Sequence, residues 1–405
     1  MKLLGLLVIV IVIAITIVFN WNSIIKFKIG MKMDEYTEIT TPWEQIDFTT
    51  AVKEETPLPS WTNDNTSNPA LGKYQIRGIF GIKDIVLLYG SNYDEMQNDA
   101  LKYSNKDPYY ENKNEQAYIF RTEDDGKTFE KISLGHGSAG LGKELKPISV
   151  NDVLYIGVKE NDTQNIRYYV SKDLGKSWSE NGWMPTSTWK DGTLFIEKED
   201  SQTRVPIVQM SKDNGANWEP LEKELMDFYN KTHSLLQLDD NTLVGLSKTN
   251  YILLFNIDTK EISNYHLDLP EGKVISRIGK NIIDGKNEFY IILLDGEKRA
   301  KNEYSQSSLF FPMTNEHIQM TKKLPQNIHF NISENYIGGF FNYGDKIFGI
   351  PVHIYTLDRG RNWHYEIVEK YRLISEKAYI NHQFWFVASD ASNLAHTFLM
   401  KKVMD

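Results

Sequence analysis

Few stretches of this 405-residue chain combine residue types and spacing that could do chemistry. Gly135-His136-Gly137-Ser138-Ala139-Gly140 has the G-x-G-x-x-G spacing of a loop that cradles a dinucleotide pyrophosphate. That chemistry needs a helix straight afterwards, with its first amides facing the phosphates. Pro147 and the strand-like Ile148 to Val150 follow instead. The same residues fail as a serine nucleophile elbow, because His136 stands where G-x-S-x-G needs its first glycine. They read as a glycine-rich connection between sheets. His353 and His364 have no third ligand nearby in sequence, so no metal site is expected there. The acidic runs Glu197 to Asp200 and Asp239 to Asn241 read as solvated turns, with calcium at one of them the alternative. With no cysteine there are no disulfides, thiol nucleophiles or cysteine-held metals, and no Walker-type phosphate loop occurs, so no cofactor is expected.

The strongest pattern is structural. A hydroxyl residue, then Asp, Gly, a small polar residue and an aromatic recur at fixed offsets in four places. The copies run Thr122–Phe129 (with Asp124, Gly126 and Phe129) and Ser171–Trp178 (Asp173, Gly175, Trp178). The others are Ser211–Trp218 (Asp213, Gly215, Trp218) and Thr356–Trp363 (Asp358, Gly360, Trp363). Each follows a β-branched or aromatic run, Ala117 to Arg121, Ile166 to Val170, Val205 to Met210 and Val352 to Tyr355. Such a unit is a hairpin turn in which glycine accepts a positive φ while Asp and the hydroxyl bond to turn amides. The aromatic anchors the turn to the next strand.

With these four units the chain resembles the Asp-box (BNR) repeat family of β-propellers, which includes sialidases and many non-enzymatic relatives. The resemblance implies an all-β propeller over residues 71–405, with the boxes in the turn between third and fourth strands of a blade. Box starts lie 49, 40 and 145 residues apart, so two boxless blades are expected between the third and fourth copies. Strand-like runs such as Thr242 to Leu246, Phe289 to Leu294 and Ser308 to Phe311 fill that gap. Tyr371 to Ile374, Phe384 to Ala388 and His396 to Met400 supply three more strands, and extended residues near the amino end (Glu35 to Thr40 or Glu44 to Phe48) supply a fourth. Seven blades are expected, with six and a carboxy-terminal extension the alternative.

The resemblance also brings a catalytic test. Sialidases clamp a substrate carboxylate with three arginines, and here Arg77, Arg204 and Arg277 are the candidates for convergence at the axis. Tyr74-Gln75-Ile76-Arg77-Gly78-Ile79-Phe80 occupies the place of the family's first arginine but lacks its proline. Arg121, Arg167, Arg359 and Arg361 flank or lie within boxes and are expected to point elsewhere. No catalytic residue is assigned, and these three arginines stand as ligand contacts.

Ahead of the repeats, Leu3 to Phe19 is apolar and uncharged, about 25 Å long as a helix. No small-residue cleavage site follows it, so residues 1–25 are expected to be an uncleaved transmembrane anchor and 26–70, with Pro42, Pro57, Pro59 and Pro69, a stalk. Lys26, Lys28 and Lys32 on the far side favour a cytoplasmic body by charge count, whereas propellers of this family are usually exported. A periplasmic or extracellular body is the expectation. The net charge of −9 argues against nucleic acid. The expected function is a membrane-anchored module binding protein or glycan, as an envelope scaffold or an immunity protein that neutralises a toxin. A sialidase-like hydrolase is the alternative, and the tyrosine-rich stretch Asn92 to Tyr110 is a further contact candidate.

Overall fold

The computed structural model describes residues 26, 28–31, 33, 36–52, 70–71, 74–92, 115–140, 145–160, 165–188, 192–199, 206–247, 251–265, 269, 271–283, 286–295, 308–311, 316–318, 331–333, 336–343, 350–358, 360–368, 371–390 and 397–404. They form seven sheets in chain order, antiparallel but for one added outer strand, a seven-bladed β-propeller. Blade 1 has strands Tyr74–Ile82, Ile85–Asn92, Gln116–Thr122 and Glu130–His136, with Ala70–Leu71 paired to the start of the first. In blade 2 the first strand is split, Ser138–Ala139 and Ile148–Val150 both pairing with Val153–Lys159. Ile166–Ser171 and Ser179–Asn181 complete that blade. Blade 3 is Ser187–Thr188, Leu194–Glu199, Pro206–Ser211 and Glu219–Pro220; blade 4 is Thr232–Gln237, Thr242–Ser247, Ile252–Asn256 and Ile262–Tyr265. These are followed by blade 5 (Lys273–Ile283, Lys286–Asp295, Ser308–Phe311, Glu316–Ile318) and blade 6 (Asn331–Ser333, Tyr336–Tyr343, Ile350–Thr356, His364–Ile367).

Blade 7 joins both ends of the chain. Its strands Tyr371–Ile380, Gln383–Asp390 and Thr397–Val403 are completed by Glu44–Ile46, which pairs Gln45 with Met400. Part of the expected stalk is therefore blade. Thr37–Glu38 adds a parallel fifth strand to blade 6, and a short helix, Phe48–Ala51, capped by Asp47, packs Phe48 against Phe120 and Phe129 of blade 1. The segment qualifies for these places because Ile46, Phe48, Ala51 and Val52 are apolar and buried, whatever the polarity around them. Residues 1–25 lie outside the described residues, and no helix among those described is long and apolar enough to cross a membrane.

The cores lie between blades rather than inside them. Leu87, Ile119 and Leu134 of blade 1 meet Leu154, Ile156 and Val158 of blade 2, and Trp385 and Val387 of blade 7 meet Phe120 and Leu88 of blade 1. Alternating side chains on each strand put one set into each seam, which is why the strands read as continuous apolar runs. A helix unforeseen from the β-rich sequence, Lys223–Lys231, fills the seam between blades 3 and 4 with Leu225 and Phe228.

Candidate functional site: the two faces of the propeller

Strand direction alternates, so every blade presents its first hairpin tip and its third-to-fourth turn on one face. Starts of first strands and second-to-third connections lie on the other. All four D-x-G units are on the first face. In each, the hydroxyl donates to the Asp carboxylate (Thr122 to Asp124 2.9 Å, Ser171 to Asp173 2.8 Å, Ser211 to Asp213 2.7 Å, Thr356 to Asp358 2.7 Å). The same hydroxyl accepts from the glycine amide at 2.8–2.9 Å. The carboxylate also takes the amide four residues on from itself, at 2.9 Å in every copy. Gly126, Gly175, Gly215 and Gly360 have φ between 81° and 86°, and the residue before the first three is left-handed too, at 56–59°. Two successive positive φ angles make a type I′ turn, whose twist matches the strands it joins.

Those bonds hold the carboxylates ionised. Bonds from the Ser177 hydroxyl and amide lower Asp173 to about 2, and the Asn217 amide with Ser211 does the same for Asp213, also to about 2. Trp178 folds back so that its indole donates to the Gly175 carbonyl at 3.0 Å. Neighbouring turns are tied together: Arg121 donates to the Leu174 carbonyl at 2.9 Å and pairs with Glu123, which Lys176 also approaches. Lys401 of blade 7 donates to the Asp125 carbonyl at 2.7 Å. Within each of the four units the hydroxyl and the carboxylate bond to each other and to amides of the same turn.

The opposite face differs. Arg77 is the extra residue of a bulge between Ile76 and Gly78 on the first strand of blade 1, and its guanidinium lies 3.6 Å from Glu115. The arginine side chain is 16% exposed and the glutamate 3%, so the pair sits at the mouth of the inner strand, mostly covered. Arg77 Nε has no hydrogen-bond partner among the described residues. Glu115 is held by its own backbone, whose carbonyl accepts from Gly137 at 2.8 Å. Beside it, Gln116 contacts His136 Nδ1 at 2.6 Å, and Arg167 donates to the His136 carbonyl at 2.7 Å while pairing with Glu160. Arg167 lies near the start of a strand whose far end carries a box, and its partners are Glu160 and the His136 carbonyl rather than Arg77 or Glu115. The glycine-rich stretch is the link from blade 1 to blade 2, with Gly135, Gly137 and Gly140 all at positive φ.

Arg277 follows a bulge on the first strand of blade 5, again at this end. Arg204 and the stretch 93–110 lie outside the described residues. Three exposed apolar residues, Ile166 (44%), Ile207 (39%) and Tyr251 (66%), stand at matching places where the third strands of blades 2, 3 and 4 begin, on this same face. Sequence reading missed Glu115, which lies among polar residues with no motif around it. His353 is fully buried, with Tyr336 2.9 Å from Nε2, and burial pushes its pKa well down.

No family model and no curated protein matches the chain. Solved structures similar to it include YCF48 bound to a D1 peptide, at 13% identity and TM-score 0.46, covering 91% of this chain and 97% of that one. YCF48 from Cyanidioschyzon merolae follows at 12% and 0.40, covering 90% and 99%. The acylaminoacyl peptidase of Pyrococcus horikoshii gives 10% and 0.47, covering 82% of this chain and 52% of that one. The chain is a β-propeller. At these identities the likeness is one of fold.

Proposed function

We propose that this propeller is a binding module that holds a segment of another protein against the face bearing Arg77. One observation carries the reading: the two faces differ in spent hydrogen-bonding capacity, and Arg77 keeps a covered, unused donor at the mouth of an inner strand. Ile166, Ile207 and Tyr251 add the apolar contact area that a protein interface uses at its centre. In the same proposal residues 1–25 anchor the module in a membrane, with the body periplasmic or extracellular, as an envelope scaffold or a toxin-neutralising immunity protein. Glycan is the other ligand class. The four D-x-G turns support placing the chain with non-catalytic Asp-box propellers. Arg77 and Arg277 on first strands are the support for the sialidase-like alternative, which requires turnover of fluorogenic glycosides that Arg77→Ala abolishes.

Photo-crosslinking in the native membrane tests the reading. A photoreactive side chain at Ile166 and, separately, at Ile207 is expected to trap the same partner, whereas one at Lys172, exposed in a turn of the other face, is expected to trap none. Adducts from Lys172 alone, or equally from all three, would overturn it.

A further inference from the structure

The path of the amino-terminal segment along the outer wall of blade 6 is fixed at both ends. Lys26 shares the lining of a cleft with Ile367 and Val368, where the outer strand His364–Ile367 ends on the Arg77 face. Tyr36 meets the Trp363 ring edge-on at 6.2 Å, and Thr37 donates to the Trp363 carbonyl at 2.9 Å, where that strand begins on the D-x-G face. Between these points residues 28–31 are helical, and Met33 donates to the Ile29 carbonyl at 2.9 Å. Ile29 and Met33, one helical turn apart, are 0% and 1% exposed and pack against Phe341, Val352, Ile354 and Tyr365. The segment is therefore held on blade 6 by burial, not loosely tethered. Followed back from Tyr36 to Lys26, the chain heads for the Arg77 face.

The apolar run Leu3 to Phe19 ends seven residues before Lys26. Seven residues span about 10 Å as a helix and at most about 25 Å fully extended. With residues 1–25 as the anchor, the Arg77 face stands no further than that from the bilayer surface. A folded domain of 100 residues, with a radius of gyration of about 13 Å, does not enter such a gap. An extended strand or a single helix, about 10 Å across, does. Ile166, Ile207 and Tyr251 open into the gap at blades 2, 3 and 4, across the ring from the helix on blade 6.

We infer that the Arg77 face is turned toward the bilayer, and that the segment it holds is a juxtamembrane stretch of a protein embedded in the same membrane. This rests on residues 1–25 being the anchor.

The chain has no cysteine, so a single introduced thiol labels one place. Asn165→Cys and Lys172→Cys lie exposed just beyond the two ends of the strand Ile166–Ser171, about 20 Å apart. Each carries a donor fluorophore on the full-length chain, reconstituted into phosphatidylcholine vesicles with a trace of lipid bearing an acceptor on its headgroup. Energy transfer from position 165 is expected to be at least about twice that from 172. Ile29→Ser with Met33→Ser, which frees the helix from blade 6 and leaves residues 1–25 untouched, is expected to bring the two efficiencies together. In the native membrane, a cleavable photoreactive side chain at Ile166 is expected to trap a protein that stays with the membrane in alkaline carbonate once the link is cut. A chain that fails to float with the vesicles refutes the anchor, and this orientation with it. One that floats but gives equal or reversed transfer, or keeps its difference in the double variant, overturns the orientation alone. A trapped protein that carbonate washes away, or adducts to lipid only, overturns the partner.

Discussion

The turn face and the loop face of this propeller are built from the same strands yet solve opposite problems. On the turn face each unpaired amide of a tight corner meets a carboxylate or hydroxyl within its own eight-residue unit, and the units are then lashed to their neighbours. On the loop face, contacts such as Gln116–His136 and Arg77–Glu115 join residues from different connections, and a guanidinium nitrogen is left over. A rigid, self-satisfied rim permits an unsatisfied one opposite it, because the strands between them cannot relax to close the deficit.

Gly215→Ala should give the largest effect. A methyl group there must adopt a φ of +84° and would overlap the Trp183 ring, so a loss of about 3 kcal/mol or more is expected in chemical denaturation. If the turn tolerates it, the rim is not the rigid partner in the comparison. Asp173→Ala removes bonds from the Ser171 hydroxyl and from the Ser177 amide and hydroxyl, and about 2 kcal/mol should go with them.

Acid separates the turns from the blade 6–7 seam. The depressed Asp173 and Asp213 contribute stability that is present above about 4 and lost as pH falls through about 2. Glu366, raised by burial, contributes with the opposite sign: its share is present below about 4.5 and lost as pH rises through about 7. Denaturation curves against pH should therefore show an acid limb that Asp173→Ala flattens and a near-neutral decline that Glu366→Gln flattens. The smallest change in stability is expected for the pair Arg77→Gln with Glu115→Gln, under about 1 kcal/mol, since both charges leave together. Partner capture through Ile166 should nevertheless drop about tenfold or more. An unchanged yield would make the loop-face pair a packing feature.

Local features were legible in the sequence and distant ones were not. The four turns could be read because all their partners lie within eight residues, and the strand count leading to a seventh blade followed from their spacing. The left-handed residue before the glycine was less visible: Asp125 and Asn214 are types that tolerate that region, but Leu174 is not, and only the type I′ geometry requires the three to be alike. Lys223–Lys231 was missed for another reason. Leu225 and Phe228 at i, i+3 were its signal, but a nine-residue helix between strand-rich runs offers little else. Glu115 pairs across 38 positions with Arg77, and Lys402 reaches back to Thr41, so neither contact leaves a pattern in the order of residues.

The pairing of Glu44–Ile46 with Thr397–Val403 has a consequence for biogenesis. The strand that completes the seventh sheet pairs Glu44 with Lys401, across 357 positions of sequence. Until Thr397–Val403 has been made, the earlier segment has no edge to join, and Ile46 must wait without its final burial. The ring is therefore sealed late, and a chain from which Thr397–Val403 is deleted should leave Glu44–Ile46 unpaired.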